Sequence, residues 1–536
     1  VSHARSFQVS GTETGLPGGG LGPLPLAAAG LAAAGVLAVL VSKVGAEIAV
    51  ALSLAALAVM VILAAMPFAG VLLGVFVLYT NLPAAAARHG AIPEEATAVV
   101  GILFIPALIR ELVIRRRSLR LDRTFGLMVA FLAVMLLSTF VAAVDVQWAL
   151  TYMGQHYLAE GLAVFLLVLN TVRDRRSLMR VLAVLVAAAA FVSALTTYQA
   201  VTGNYHQTFF GLSERALDHL EGEQAVAASR PGMGLEDRAQ GPVDEANRYA
   251  QILLVAACFA LVFAWILKGP GRMLALMGMG LILGATFLTY SRGAFLTLVI
   301  LVFFLAVLRV IPRRHVAVGG LMAVLLVPLV APGYVDRLHS IAGVQGLVSA
   351  DATVEADGAT RGRTTAMLAT LLAFSEHPVL GVGPGQYFLH HSVSYQLRPE
   401  IAFRELAVPR RAHNLFVEIA ADTGAIGLLI FLAIPGLLLR DLWRIRRRAP
   451  PERNEIRRLA LGFILAILAY LGTGMFLHLA YHRYYWLLIG LSAAAVWIMR
   501  GELRAGDASG ETTRVEAEAM GLDATLSPPA STGVRS

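Results

Sequence analysis

The chain is 536 residues long, 57% hydrophobic and only 15% charged, with a mean hydropathy of +0.71. A soluble domain carries about 25% charged residues, so this composition excludes a soluble enzyme and describes an all-α, polytopic membrane protein. The net charge of +8 would point to nucleic acid in a soluble chain. In a membrane protein the position of each charge matters more than the sum, and no nucleic-acid partner is expected.

Val1 to Gly22 is polar and glycine-rich, without the cationic and cleavable apolar regions of a signal peptide, and reads as a disordered tail over 1–22. A membrane domain is expected over 23–502. It holds about fourteen (12–14) apolar runs near the ~20 residues that a bilayer needs. They lie near 24–42, 45–65, 67–81, 96–114, 125–144, 152–171, 179–200, 248–267, 273–290, 294–311, 316–332, 414–438, 458–477 and 484–500. The cationic loops are Arg115 to Arg123, Arg173 to Arg180, Lys268 to Arg272, Arg309 to Arg314 and Arg440 to Arg458. With these spans all five fall on one side, which the positive-inside rule makes cytoplasmic, together with both termini.

The same alternation puts two long loops outside, over 203–247 and 333–413, and loops of this length are commonly functional. Thr364 to Phe374 carries Met367, Leu368, Leu371, Leu372 and Phe374 at helical spacing, as an amphipathic helix lying on the membrane would. The stretch 503–536 is rich in Gly, Ser and Thr and reads as a second disordered tail. Cys258, the single cysteine, lies in an apolar run, which excludes an intrachain disulfide and a thiolate metal site. Gly381-Val-Gly-Pro-Gly385 lacks the lysine and hydroxyl residue of a P-loop and reads as a tight turn.

Where the second outer loop re-enters the membrane stands His413-Asn414, followed nine residues later by Gly424-Ala-Ile-Gly427. At 100° per residue Gly424 falls about 20° from His413 and Gly427 about 40° to the other side, so one helix face would carry all three. The glycines read as helix-packing positions beneath an imidazole at the membrane rim. Arginines on the outer side run against the positive-inside bias and need a reason. For Arg410 and Arg411 snorkelling to lipid headgroups suffices. For Arg238 and Arg292, the latter in the tight turn Tyr290-Ser-Arg-Gly293, oxyanion binding by a planar guanidinium fits better.

In this order the motifs resemble the O-antigen ligases and the related O-antigen and exopolysaccharide polymerases. The resemblance rests on His413-Asn414 with Gly424 and Gly427, on Ser291-Arg292-Gly293, on Arg238 to Asn247, and on Arg363 to Phe388 with its Glu376-His377-Pro378 run. Glu245-Ala246 departs from the proline that commonly precedes the asparagine, and fourteen spans exceed the usual twelve. The resemblance implies a type C membrane glycosyltransferase of the bacterial cytoplasmic membrane, its active site facing the periplasm or exterior. Its implied donor is a glycan on undecaprenyl pyrophosphate and its acceptor a sugar hydroxyl. Transfer is implied to invert the anomeric centre without metal or cofactor, and an association with a flippase and a chain-length regulator is a further expectation.

Within that reading His413, whose unperturbed pKa near 6.5 suits a base at neutral pH, is the expected catalytic residue. Glu160, in apolar surroundings near the outer end of its span, is the expected buried partner. Arg238, Arg292, Arg363, Asn247 and Asn414 are the expected pyrophosphate ligands. Glu376, Glu418 and Asp422 are alternative carboxylates, and His377, His390 and His391 read as structural. A repeat-unit polymerase using the same donor is the alternative function. A lipid-linked sugar transporter fits less well, because transporters carry polar residues and broken helices at mid-membrane and show two similar halves.

Overall fold

The computed structural model describes residues 65–88, 103–215, 238–312 apart from Asp244, 358–401, 408–478 and 483–519, with a few single positions besides. The expected spans 24–42, most of 45–65 and most of 316–332 lie outside the described residues. Val1–Met66 and Pro67–Ser536 separate as two compact units. The elements below belong to the second.

In chain order the principal helices are α1 (Pro67–Thr80), α2 (Arg123–Ala142), α3 (Val146–Thr171), α4 (Arg175–Thr202), α5 (Ala246–Ile266), α6 (Gly269–Leu288), α7 (Arg292–Val307), α8 (Gly358–Glu376), α9 (Leu415–Arg448), α10 (Asn454–Gly474) and α11 (Arg483–Ala519). Among the described residues eight helices are long and apolar enough to cross a membrane, and α1 and α7 are apolar but shorter. The protein is mostly helical and polytopic. The expected span at 96–114 is described at Gly101 and from Leu103, with a short α turn at Ile105–Ile109 running into a π turn at Arg110–Ile114.

Side-chain caps set several of the boundaries, since the first turn of a helix leaves backbone N–H groups unpaired. Asp122 accepts from Phe125 N at the start of α2, and Asp174 and Ser177 form a reciprocal capping box on α4. Gly203, at φ +67°, closes α4 in the left-handed conformation that glycine adopts most easily. Inside α3 the segment Gly154–Ala163 is π-helical, a distortion often found at functional sites.

The most buried helices are α5, α10 and α11. α5 packs on α6 and α10, while α9 packs on α2 and α10. One side-chain amide ties α5 to α10: Gln251 Nε2 donates to Tyr470 O at 3.0 Å and to Thr473 Oγ1 at 2.7 Å. Outward faces are apolar. Met273, Leu274 and Met277 on α6, with Ile300, Phe303 and Val307 on α7, are each 56–72% exposed. In water such a surface would be a liability, and against lipid tails it is matched.

Two described elements bear on the outer helix and the C-terminal stretch. The face of α8 that packs on α9 is the small one, Thr365, Ala366, Ala369, Thr370 and Ala373, all buried. The large residues Met367, Leu368, Leu371, Leu372 and Phe374 are half-buried or exposed, because close approach to α9 favours side chains of little volume. At the other end, α11 continues to Ala519, past residue 502 where the disordered tail is expected.

The orientation read from the arginines has a direct check at exposed positions. Cysteine at Asn204 or Ser375 should react with an impermeant maleimide from outside the cytoplasmic membrane, and cysteine at Ser118 should not. The reverse pattern would invert the topology.

Candidate functional site

The chain arrives at α9 through Arg410, Arg411, Ala412 and His413. Asn414 ends the approach as the N-cap: its Oδ1 accepts from Phe416 N and Val417 N at 3.0 and 3.1 Å. Its Nδ2 donates to Met475 O at 3.0 Å, tying this helix start to the turn after α10. His413 sits just before the cap at φ +49°, a conformation uncommon outside glycine. Its ring lies edge-on to His478, with centroids 5.5 Å apart. His478 Nε2 in turn is 3.4 Å from an Nη of Arg248.

Both imidazoles are held neutral. Burial first, then the charges of Arg363 and Arg410, push His413 down to about 4. Burial, Arg248, Arg411 and His413 push His478 well below the usual histidine range. Desolvation and like charge act in the same direction on a cationic acid.

The glycines do something other than the helical wheel predicts. His413 lies outside the helix, and α9 is broken at Gly424 (φ +68°, ψ −171°), so no single face joins the three residues. Into the break fits the run Pro378–Gly385. Ala425 N donates to Pro378 O at 2.8 Å, Val382 N to Ala421 O at 2.9 Å, and Gly383 N to Asp422 O at 3.0 Å. A Cβ on Gly424 would collide with the carbonyl of Val379, and one on Gly381 with that of Ala421. Gly427 faces Thr423 of its own helix, where a Cβ would strike the threonine side chain. The turn expected at 381–385 is present, with positive φ at Gly381, Gly383 and Gly385.

Arg411 is the second departure. Instead of reaching a headgroup, its Nη1 donates to Glu418 Oε1 at 2.9 Å and to Tyr152 OH at 3.1 Å, and its plane lies 4.9 Å from the Phe388 ring centre. Glu418 is buried, and a buried carboxylate needs such a partner. The other carboxylates also have structural partners. Asp422 Oδ2 accepts from Gly385 N at 3.0 Å. Glu376, on the surface, pairs with Arg398 at 2.6 Å, and hydrogen bonds from Arg398 and Tyr395 hold its carboxyl below the usual range.

Arg238 and Asn247 pair with each other: Arg238 Nη2 donates to Asn247 Oδ1 at 2.9 Å, and its Nε donates to Thr289 O at 2.8 Å. Arg238, just before α5, thus reaches the turn that Ser291 caps and from which Arg292 opens α7. A Cβ on Gly293 would sit 2.7 Å from the Phe476 ring, so this turn presses on the same 475–476 turn that receives Asn414. Through that turn the start of α7 and the start of α9 become neighbours, and Leu415 packs on Gly474. Arg363 acts on His413 through its charge.

Glu160 lies elsewhere. It sits on the π segment of α3, about a third exposed, 3.4 Å from Arg483 and 3.9 Å from His156. Arg483 also donates to Asn81. The link from Glu160 to the His413 group runs through His156, whose ring packs 4.6 Å from that of Tyr152. The buried carboxylate on the first turn of α9 is Glu418, paired with Arg411, and Glu160 belongs to an adjoining ion-pair cluster. Sequence reasoning missed His478 and Arg248. His478 follows the expected span 458–477 directly, in the mirror-image position to His413, and Arg248 follows Asn247. Both signals were present in the chain.

Alanine at Gly424 should cost on the order of 3 kcal/mol, from its disfavoured φ and the collision with the 378–385 run. The measurement is the thermal transition and membrane yield of G424A beside the neighbouring A425G control. A normal transition for G424A would show that the break is not required.

No curated protein matches the chain. Residues 277–432 match the family model described as O-Antigen ligase, a stretch that includes Arg292, Arg363, His413, Asn414, Gly424 and Gly427. Arg238, Asn247 and Glu160 lie before it. Within a mostly helical, polytopic membrane protein, residues 277–432 are similar to the O-antigen ligase family.

Proposed function

We propose that this protein moves a glycan from undecaprenyl pyrophosphate to a sugar hydroxyl, on lipid A core or another surface glycan, at the outer face of the bacterial cytoplasmic membrane. The observation that carries this reading is a neutral imidazole, His413, set at the mouth of a membrane helix within the field of Arg363 and Arg410. A base and a cluster of fixed cations are the two things that transfer from a diphosphate requires.

In the step itself the acceptor hydroxyl gives its proton to His413 as its oxygen attacks the anomeric carbon. The bond from that carbon to the diphosphate oxygen breaks, and its electron pair leaves with undecaprenyl pyrophosphate. Attack from the face opposite the leaving group inverts the centre. Arg292 and Arg363 take the charge that develops on the diphosphate, so in this reading neither a metal nor a cofactor is called for. Arg238, Asn247 and Asn414 spend their hydrogen bonds on Thr289, on each other and on Met475, and so hold the arginine-bearing turns in place. A repeat-unit polymerase would use the same donor and base with a second lipid-linked unit as acceptor. Product size after incubation with lipid A core, against donor alone, separates the two.

With its pKa near 4 in the free protein, His413 is a weak base. A bound diphosphate offsets the charges of Arg363 and Arg410 and raises that pKa, while the larger effect, burial, remains. The base works only when neutral, so activity falls as pH drops through its pKa. The acid limb of kcat/KM, which reports the free enzyme, should therefore lie near pH 4, and that of kcat, which reports the complex, at higher pH. His413→Ala should lower turnover about 10²–10⁴-fold at neutral pH with unchanged protein level. Near-normal turnover in purified H413A would remove the base assignment.

Arg292→Lys keeps the charge and loses the planar fork. It should lower kcat/KM by roughly tenfold or more if two parallel bonds hold the diphosphate. Full activity in R292K would leave Arg292 as a headgroup anchor.

A further inference from the structure

A cavity of about 700 Å³ opens at the far end of α9, between the start of α2, the last turns of α9 and the middle of α11. From His413 it is roughly 45 Å along the helix at 1.5 Å per residue, so it has no part in the site above. Five arginines line it: Arg123, Arg444, Arg448, Arg500 and Arg504. Its two carboxylates are already engaged. Asp122 caps α2 through Phe125 N, and Asp441 lies 2.7 Å from Arg500 and 3.5 Å from Arg440. Among the described residues no acidic partner faces Arg123, Arg444, Arg448 or Arg504, and all four are exposed.

The rest of the lining is apolar. Leu121, half exposed, stands at one rim with Trp497, 43% exposed, and Leu437 continues the wall. Indole rings favour the boundary between lipid tails and headgroups, and cations collected there attract anionic lipid. A soluble polyanion would meet this charge as well, but the tryptophan and leucines would give it nothing to contact. A molecule with a phosphate at one end and hydrocarbon at the other matches both walls.

We propose that this cavity binds the headgroup phosphate of an anionic phospholipid, with an acyl chain lying along Leu121, Leu437 and Trp497. The phosphate sits among Arg123, Arg444, Arg448 and Arg504, and the Asp441 carboxylate draws Arg500 away from it. The lipid joins the start of α2, the last turns of α9 and the middle of α11.

The test uses the purified full chain in mixed detergent micelles and native mass spectrometry. The probes are phosphatidylglycerol, phosphatidylcholine of the same acyl composition, and inorganic phosphate. Phosphatidylglycerol should be retained preferentially, and a large excess of inorganic phosphate should not displace it. The exposed pair Arg444→Gln and Arg448→Gln should weaken retention by about fivefold for each guanidinium removed. Asp441→Asn, which releases Arg500, should act in the opposite sense and tighten it. Equal retention of phosphatidylcholine, or an unchanged preference in the double variant, overturns the proposal. Displacement by inorganic phosphate would make the cavity an anion site without a lipid component. Should the double variant fail to fold, weaker or unchanged retention in D441N overturns the proposal by itself.

Discussion

The break in α9 at Gly424 is the constraint on which the site depends. Interrupting a helix inside an apolar bundle frees carbonyls and N–H groups that no water can satisfy, so the break persists only where protein supplies the partners. The run Pro378–Gly385 supplies them, with bonds to Ala421, Asp422 and Ala425 from both sides of the kink. Other elements are fastened to the same plug. Ser138 of α2 donates to Leu380 O and Asp422 O, and Gln386 exchanges two bonds with the backbone of Asp145 before α3. The direction of the first turns of α9, and so the place of Glu418, Arg411 and His413, follows from this joint.

Two of the site's carboxylates are each paired with an arginine. Glu418 holds Arg411 and Glu245 lies 3.4 Å from Arg248, while Arg238 is held by neutral oxygens of Asn247 and Thr289. Arg363 and Arg410 add their positive charge at His413. The imidazoles respond to the surplus by staying uncharged. A histidine among arginines is a sensor of its neighbours: whatever anion enters changes its basicity, and the coupling needs no conformational change.

Much of the architecture is legible in the chain because membrane spans announce themselves by run length. The expected runs at 125–144, 152–171, 179–200, 248–267 and 273–290 correspond to α2 through α6 with boundaries shifted by a few residues. The tight turn at Tyr290 to Gly293 was legible too, and α7 opens directly from it. What the chain hid are pairings between distant positions. Arg411 meets Tyr152 across 259 residues, and His413 meets a histidine 65 positions on, in a turn that only packing brings near. The helical-wheel argument failed for a local reason. It assumed one continuous helix from His413 to Gly427, whereas His413 and Gly424 both carry positive φ and interrupt it. Glycine inside an apolar run has two readings, close helix approach or a broken backbone, and hydropathy does not separate them.

The two ends of α9 show how one residue type serves two purposes. At the His413 end Arg411 is fixed by a carboxylate and a tyrosine hydroxyl, with an aromatic ring beneath it. Fixed cations lose little entropy when an anion arrives, and their position selects the geometry of what binds. At the other end the arginines of the cavity project from helix surfaces with few partners, which costs little in water and gives attraction without precise geometry. The first arrangement suits a group whose charge changes during a reaction, and the second suits a lipid that only has to stay. The break at Gly424 stands between them, so the turns bearing the candidate catalytic residue are set by the 378–385 plug, and the C-terminal turns are set by their packing against α2 and α11.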